Sequence, residues 1–185
     1  HNLHGWEYTT NFQNPLGPHP NLQTLQPNIR EYARQGIGFL FAQGWGTDPA
    51  SSSELLWLRS YLIDKALWNP EESGEAHLRE FVSLYYGKAA PFICDYIDLM
   101  RRHVNQPGII LPCFNDQEWL TCDVVATAQE LFQKAVAAAD NDTIRARVED
   151  AKVAVQYAAL VCPPKVSVDD NVLRLVRPPS VTLDE

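Results

Sequence analysis

Val125, Ala128, Phe132, Ala135 and Ala139 recur at helical spacing, and after "DNDT" so do Ile144, Val148, Ala151, Val155 and Ala158. Apolar residues three and four apart lay a stripe along one side of a helix, and such a stripe has to be buried. Two stripes joined by a short polar turn predict an antiparallel helix hairpin in a small bundle. The same period continues upstream. Leu78, Phe81, Val82 and Tyr85 share a face before Gly87, and Ile93, Ile97, Met100 and Val104 share the next before "NQPG". Glu75 to Cys162 thus reads as helical, interrupted by the irregular "GIILPCFNDQEW". Beyond it, "KVSVDDNVLRLVRPPS" alternates weakly around a turn at Asp169 to Asn171, which suits a β-hairpin or pairing with a strand elsewhere.

The first third has a different grammar. His1 to Tyr8 reads as the end of a buried strand, followed by the Pro-, Asn- and Gly-rich loop "TTNFQNPLGPHPNL". In "TLQPNIREYARQG", Pro27 suits a first helical turn, Ile29, Tyr32 and Ala33 lie on one face, and Gly36 is placed to end the helix. "IGFLFA" is a short apolar run of the kind found in parallel strands covered on both faces. Ser51 and Glu54 then match a capping box ahead of the helix "ELLWLRSYLIDKALW". Strand, loop, helix, twice over, is the unit of an α/β barrel or a doubly wound sheet.

The expected fold class is therefore α/β plus α. Residues 1–68 would be the last two β/α units of a TIM (β/α)8 barrel, and residues 69–162 a helical domain packed on it. Residues 163–185 would form an extended tail. The rest of the barrel would lie upstream, since the chain begins with His1 and reads as cut from a longer protein.

Twenty-three acidic residues against 15 basic ones give a net charge of -8, a surface that repels nucleic-acid phosphates. No apolar run reaches transmembrane length, and no signal peptide is read within these residues, which carries little weight for a chain that reads as cut from a longer protein. Cys94, Cys113, Cys122 and Cys162 show no C-x-x-C and no histidine at ligand spacing, so neither a metal nor a cofactor is expected. Cys94, Cys122 and Cys162 fall on or beside apolar helix faces as buried thiols, and a bridge such as Cys113–Cys122 stays open for an exported chain.

In α/β barrels the loops after the strands form the working face. Here the first carries Trp6, Glu7, Tyr8, Asn11, Phe12 and His19, and the second Gln43 and Trp45. Flat aromatic faces for sugar C–H groups, with amides and carboxylates for paired hydroxyls, are what carbohydrate recognition needs. The candidate substrate-binding residues are Trp6, Tyr8, Asn11, Gln43 and Trp45. Glu7 is the candidate catalytic carboxylate; the competing reading makes Trp6 and Tyr8 core aromatics and Glu7 a loop cap. Glycoside hydrolysis generally requires two flanking carboxylates, and Asp48 in "TDPASSS" reads equally well as a turn residue.

At "GWEYTTNF", "PHPNLQTLQPNIREYARQGIGFLFAQG", "LRSYLIDKALWNP" and "FVSLYYGKAAPFICDYIDLM" the chain resembles the domain of unknown function 4838 proteins. These are bacterial glycoside-hydrolase-like enzymes related in fold to the α-glucuronidases. The resemblance implies the barrel end, an exported protein, and hydrolysis of a polysaccharide or a uronic-acid-containing oligosaccharide. Glu7 stands where the family pattern W-D-Y has Asp, while Trp6, Tyr8, Asn11 and Gln43 match as they stand. Ala42 in "FAQG" replaces the Glu of the family's F-E-Q-G. That departure opens the alternative of a non-catalytic carbohydrate-binding or scaffold module that keeps the fold.

Overall fold

The computed structural model describes residues 3–44, 53–114 and 119–162 and the strands 165–169 and 172–176. Strand β1 (Leu3–Tyr8) leads through a loop to helix α1 (Leu22–Arg34), which returns the chain to β2 (Ile37–Gln43). Five further helices follow: α2 (Leu56–Trp68), α3 (Gly74–Tyr86), α4 (Ala90–Val104), α5 (Cys122–Ala138) and α6 (Asp142–Val161). A 3-10 turn at Gly87–Ala89 joins α3 to α4. Last comes an antiparallel hairpin of β3 (Lys165–Asp169) and β4 (Val172–Val176), in which Asp169 lies opposite Val172.

The barrel expectation is overturned. Among the described residues the N-terminal sheet has two strands, β1 and β2, paired in parallel, and no TIM-type closure. The chain is instead an α-rich domain carrying a small parallel sheet. One β–α–β crossover satisfies the local pattern that a barrel repeats, and the number of repeats is not written in any one of them. Nor is either strand covered on both faces: Phe39 and Phe41 of β2 are 57% and 47% exposed, and Trp6 of β1 is 66% exposed.

The core lies among the helices. The stripes read from the sequence are buried, apart from the partly buried Phe81 and Tyr85 of α3: Leu78 and Val82 of α3, Ile93, Ile97, Met100 and Val104 of α4, Val125, Ala128, Phe132 and Ala135 of α5, and Ile144, Val148, Ala151, Val155 and Ala158 of α6. Tyr96 and Phe132 meet edge to face at the centre, ring centroids 4.9 Å apart. The turns are chemically specified. Ser73 caps α3 by accepting from the Ala76 amide at 3.2 Å, and Asn141 caps α6 by accepting from the Ile144 amide at 2.9 Å. Gly36 and Gly87 follow α1 and α3 with φ of +76° and +50°, a region that favours glycine.

Two local expectations fail. Pro27 lies inside α1 rather than in its first turn, because the helix starts at Leu22. Glu54 does not complete a capping box: α2 begins at Leu56, with Leu55 at its N-cap in the left-handed region (φ 49°). Ser51 lies outside the described residues. Glu54 is instead buried, at 5% exposure.

Candidate functional site

In a parallel pair, residues side by side share a face and successive residues alternate faces. The register places His4 beside Phe39, Trp6 beside Phe41 and Tyr8 beside Gln43 on one face of the sheet. Gly5 beside Leu40 and Glu7 beside Ala42 occupy the other. The second face is the packed one, since Leu40 and Ala42 lie against the core. A Cβ at Gly5 would meet Leu40 Cδ1 at 2.8 Å, so a larger residue there would make the Leu40 side chain shift.

The first face is an open aromatic array. Trp6 meets Phe41 edge to face at 5.2 Å, and Tyr8 meets Phe12 at 5.1 Å and Phe114 at 5.3 Å. Phe12 and Phe114 stack, with centroids 5.5 Å apart. At its centre Trp6 Nε1 donates to Gln43 Oε1 at 2.7 Å. Trp6, Tyr8 and Gln43 are thus brought together, and Phe12, Phe41 and Phe114 join them. Phe41 could have been found by pairing "GWEY" against "GFLFAQ" in register, but Phe114, far along the chain, left no such signal.

Glu7 is not on this surface. It faces α1, where Asn28 Nδ2 donates to its Oε1 at 2.7 Å. Burial pushes its carboxyl above the usual carboxylate range, and the Asn28 hydrogen bond pulls partly back. Its charge in turn adds to the burial that raises the Tyr32 phenol and the Cys113 thiol. Asn11 is also off the surface: it is buried, and its Oδ1 accepts from the amides of Gln13 at 2.9 Å and Asn14 at 3.1 Å, shaping the loop after β1. Trp45 and Asp48 lie outside the described residues.

That loop is anchored by a buried polar cluster whose role the sequence does not announce. Arg59 of α2, 2% exposed, donates from Nη1 to the Thr9 carbonyl at 2.9 Å and to Asn21 Oδ1, and from Nη2 to the His19 carbonyl at 2.9 Å. Glu54 Oε2 accepts from the His19 amide at 2.7 Å and lies 3.9 Å from Arg59 Nη2, while Oε1 accepts from the Tyr96 hydroxyl. Burial raises Tyr96 well above the ordinary phenol range, so it stays a donor. His19, buried beside the Arg59 cation, is lowered to about 3 and is neutral at pH 7. The cluster fixes the loop that carries Phe12 beside Tyr8, and in that way supports the aromatic face.

Away from this face, a concavity of about 390 Å³ opens between α1 and the start of α3. Its polar lining is already engaged: Gln26 and Arg30 both donate to the Pro70 carbonyl, and Arg30 lies 3.6 Å from Glu71. Among the described residues no cluster of His, Cys, Asp or Glu could hold a metal ion, and no helix is long and apolar enough to cross a membrane.

The family model for a domain of unknown function, DUF4838, matches residues 1–98, more than half of the 185-residue chain. The chain belongs to the DUF4838 family. The DUF4838 match takes in β1 to most of α4, and so includes Trp6, Tyr8, Gln43 and every residue of the Arg59–Glu54 cluster. Phe114, α5, α6 and the terminal hairpin fall beyond it. No curated protein and no solved structure matches the chain.

Proposed function

We propose that this DUF4838 chain supplies a carbohydrate-binding surface to a carbohydrate-active, glycoside-hydrolase-like protein acting on a polysaccharide or a uronic-acid-containing oligosaccharide. The observation that carries this reading is the open face on which Trp6, Tyr8 and Phe41 surround the Gln43 amide. A pyranose ring is apolar on its C–H faces and polar at its rim, so an exposed indole face such as that of Trp6 beside an amide matches both. With Gln43 Oε1 accepting from Trp6, the amide nitrogen supplies donors for ring hydroxyls.

The second reading is hydrolysis with Glu7 as the acid. Burial shifts the Glu7 carboxyl upward, the direction in which glycosidase acids are tuned. Its place on the face opposite Trp6 favours binding without cleavage at this surface.

Calorimetric titration with neutral and uronic-acid-substituted oligosaccharides tests both. Wild type binds saturably, Trp6→Ala weakens binding about tenfold, as loss of one aromatic contact of about 1.4 kcal/mol implies, and Glu7→Gln binds as wild type does. Equal affinity in Trp6→Ala, or no binding in any form, sinks the proposal. Release of sugar by wild type but not by Glu7→Gln moves Glu7 into the chemistry.

A further inference from the structure

Cys122 is the first residue of α5 and Cys162 the residue that caps the end of α6. The two helices form an antiparallel hairpin, so residues 40 apart in sequence meet at its open end, with their Sγ atoms 2.6 Å apart. Cys162 is buried, while Cys122 is partly open to solvent. Cys94 lies within α4, and the carbonyl of Cys113 accepts from the Phe12 amide at 2.7 Å.

We infer that Cys122 and Cys162 are a redox-responsive pair that closes to a disulfide and clips the start of α5 to the end of α6. The inference is independent of the carbohydrate reading. It also replaces the Cys113–Cys122 pairing left open by the sequence.

The oxidant is a small-molecule or protein disulfide. The accessible Cys122 thiolate attacks one sulfur of that disulfide, forming a mixed disulfide and releasing one thiol. The neighbouring Cys162 thiolate then attacks the Cys122 sulfur, forming the Cys122–Cys162 bond and releasing the second thiol. Two protein thiols give up two electrons and two protons, and the oxidant's disulfide becomes two thiols. A reducing dithiol reverses both steps.

Closure constrains a long segment of the unfolded chain and fixes the point from which the chain runs on to β3. The consequence is a helical hairpin that tightens in an oxidising compartment and relaxes in a reducing one.

The full chain, first reduced, is equilibrated in glutathione buffers of rising disulfide fraction, quenched in acid, alkylated and weighed intact. The expected result is that two of the four cysteines escape alkylation and that peptide mapping joins Cys122 to Cys162. Tm should rise by about 10 °C on oxidation, from the loop-closure entropy of a ring this size, and fall back with dithiothreitol. Cys122→Ser should alkylate fully and show no oxidant-dependent Tm. Alkylation of all four native cysteines, a bridge mapped to Cys113–Cys122, or a stable glutathione adduct on Cys122 without a bridge overturns the inference. The wild-type mass readout stands even if a variant folds poorly.

Discussion

Replacing Arg59 by Met keeps an unbranched apolar stem in the same space and removes the cation at the centre of the buried cluster. Breaking a buried ion pair from one side costs about 3–5 kcal/mol, because the remaining charge is left desolvated. The geometry argues for the lower end. The Thr9 carbonyl keeps a hydrogen bond from Asn21 Nδ2 at 3.1 Å, and the His19 carbonyl keeps the Asn21 amide at 2.8 Å. Glu54 keeps the His19 amide and the Tyr96 hydroxyl. The loss is thus three charge-assisted hydrogen bonds and the Glu54 countercharge, about 3 kcal/mol in all.

The pH dependence gives a sharper signature. Burial already raises the Glu54 carboxyl, with Tyr96, Arg59 and the His19 amide opposing it, and without Arg59 it rises further. A carboxyl whose pKa is higher folded than unfolded binds more protons in the native state, so stability falls as pH rises through that window. Urea unfolding of Arg59→Met should therefore show the deficit at pH 7.5 and a smaller one at pH 5. Arg59→Met with Glu54→Gln should recover much of it at pH 7.5. A loss below about 1 kcal/mol that is the same at both pH values would mean that the cluster is solvated and does not anchor the loop after β1.

His19 offers an independent check on the same cluster. Its pKa, lowered to about 3, makes its contribution complete above the ordinary histidine value near 6.5 and lost as pH falls toward 3, at up to about 1.4 kcal/mol per pH unit. His19→Gln should flatten the acid limb of the stability curve between pH 6.5 and 4.5 by about one proton, and matching slopes would contradict the buried neutral imidazole. Phe132→Ala, at a position 1% exposed beneath Tyr96, should cost about 3–5 kcal/mol in denaturant unfolding. By contrast, Trp6→Ala, at 66% exposure, should change stability by less than about 1 kcal/mol, so that any loss of sugar binding in that variant reports on the surface rather than on the fold.

The helices α3 to α6 are legible in the sequence because their signal is local. Leu78, Val82, Ile93, Met100, Val125, Phe132, Val148 and Val155 are buried where the 3.6-residue period places them, and Asn141, Gly36 and Gly87 punctuate the chain by their own chemistry. The alternation rule for strands is local too. It puts Trp6 and Tyr8 on one face and Glu7 on the other, whatever surrounds β1, and grouping all three in one loop of the working face is what misplaced Glu7. Tertiary structure alone decided the rest. How many strands join a parallel sheet depends on pairing between distant segments, so the local β–α–β pattern could not separate one crossover from a barrel. Glu54 reads as a helix cap, and Arg59 carries no local signal, until the fold brings Thr9, His19 and Tyr96 around them from 35 to 50 residues away. A short-range pattern can be read from its neighbours in the chain, but burial of a charge and the meeting of Cys122 with Cys162 are set by what packs against what.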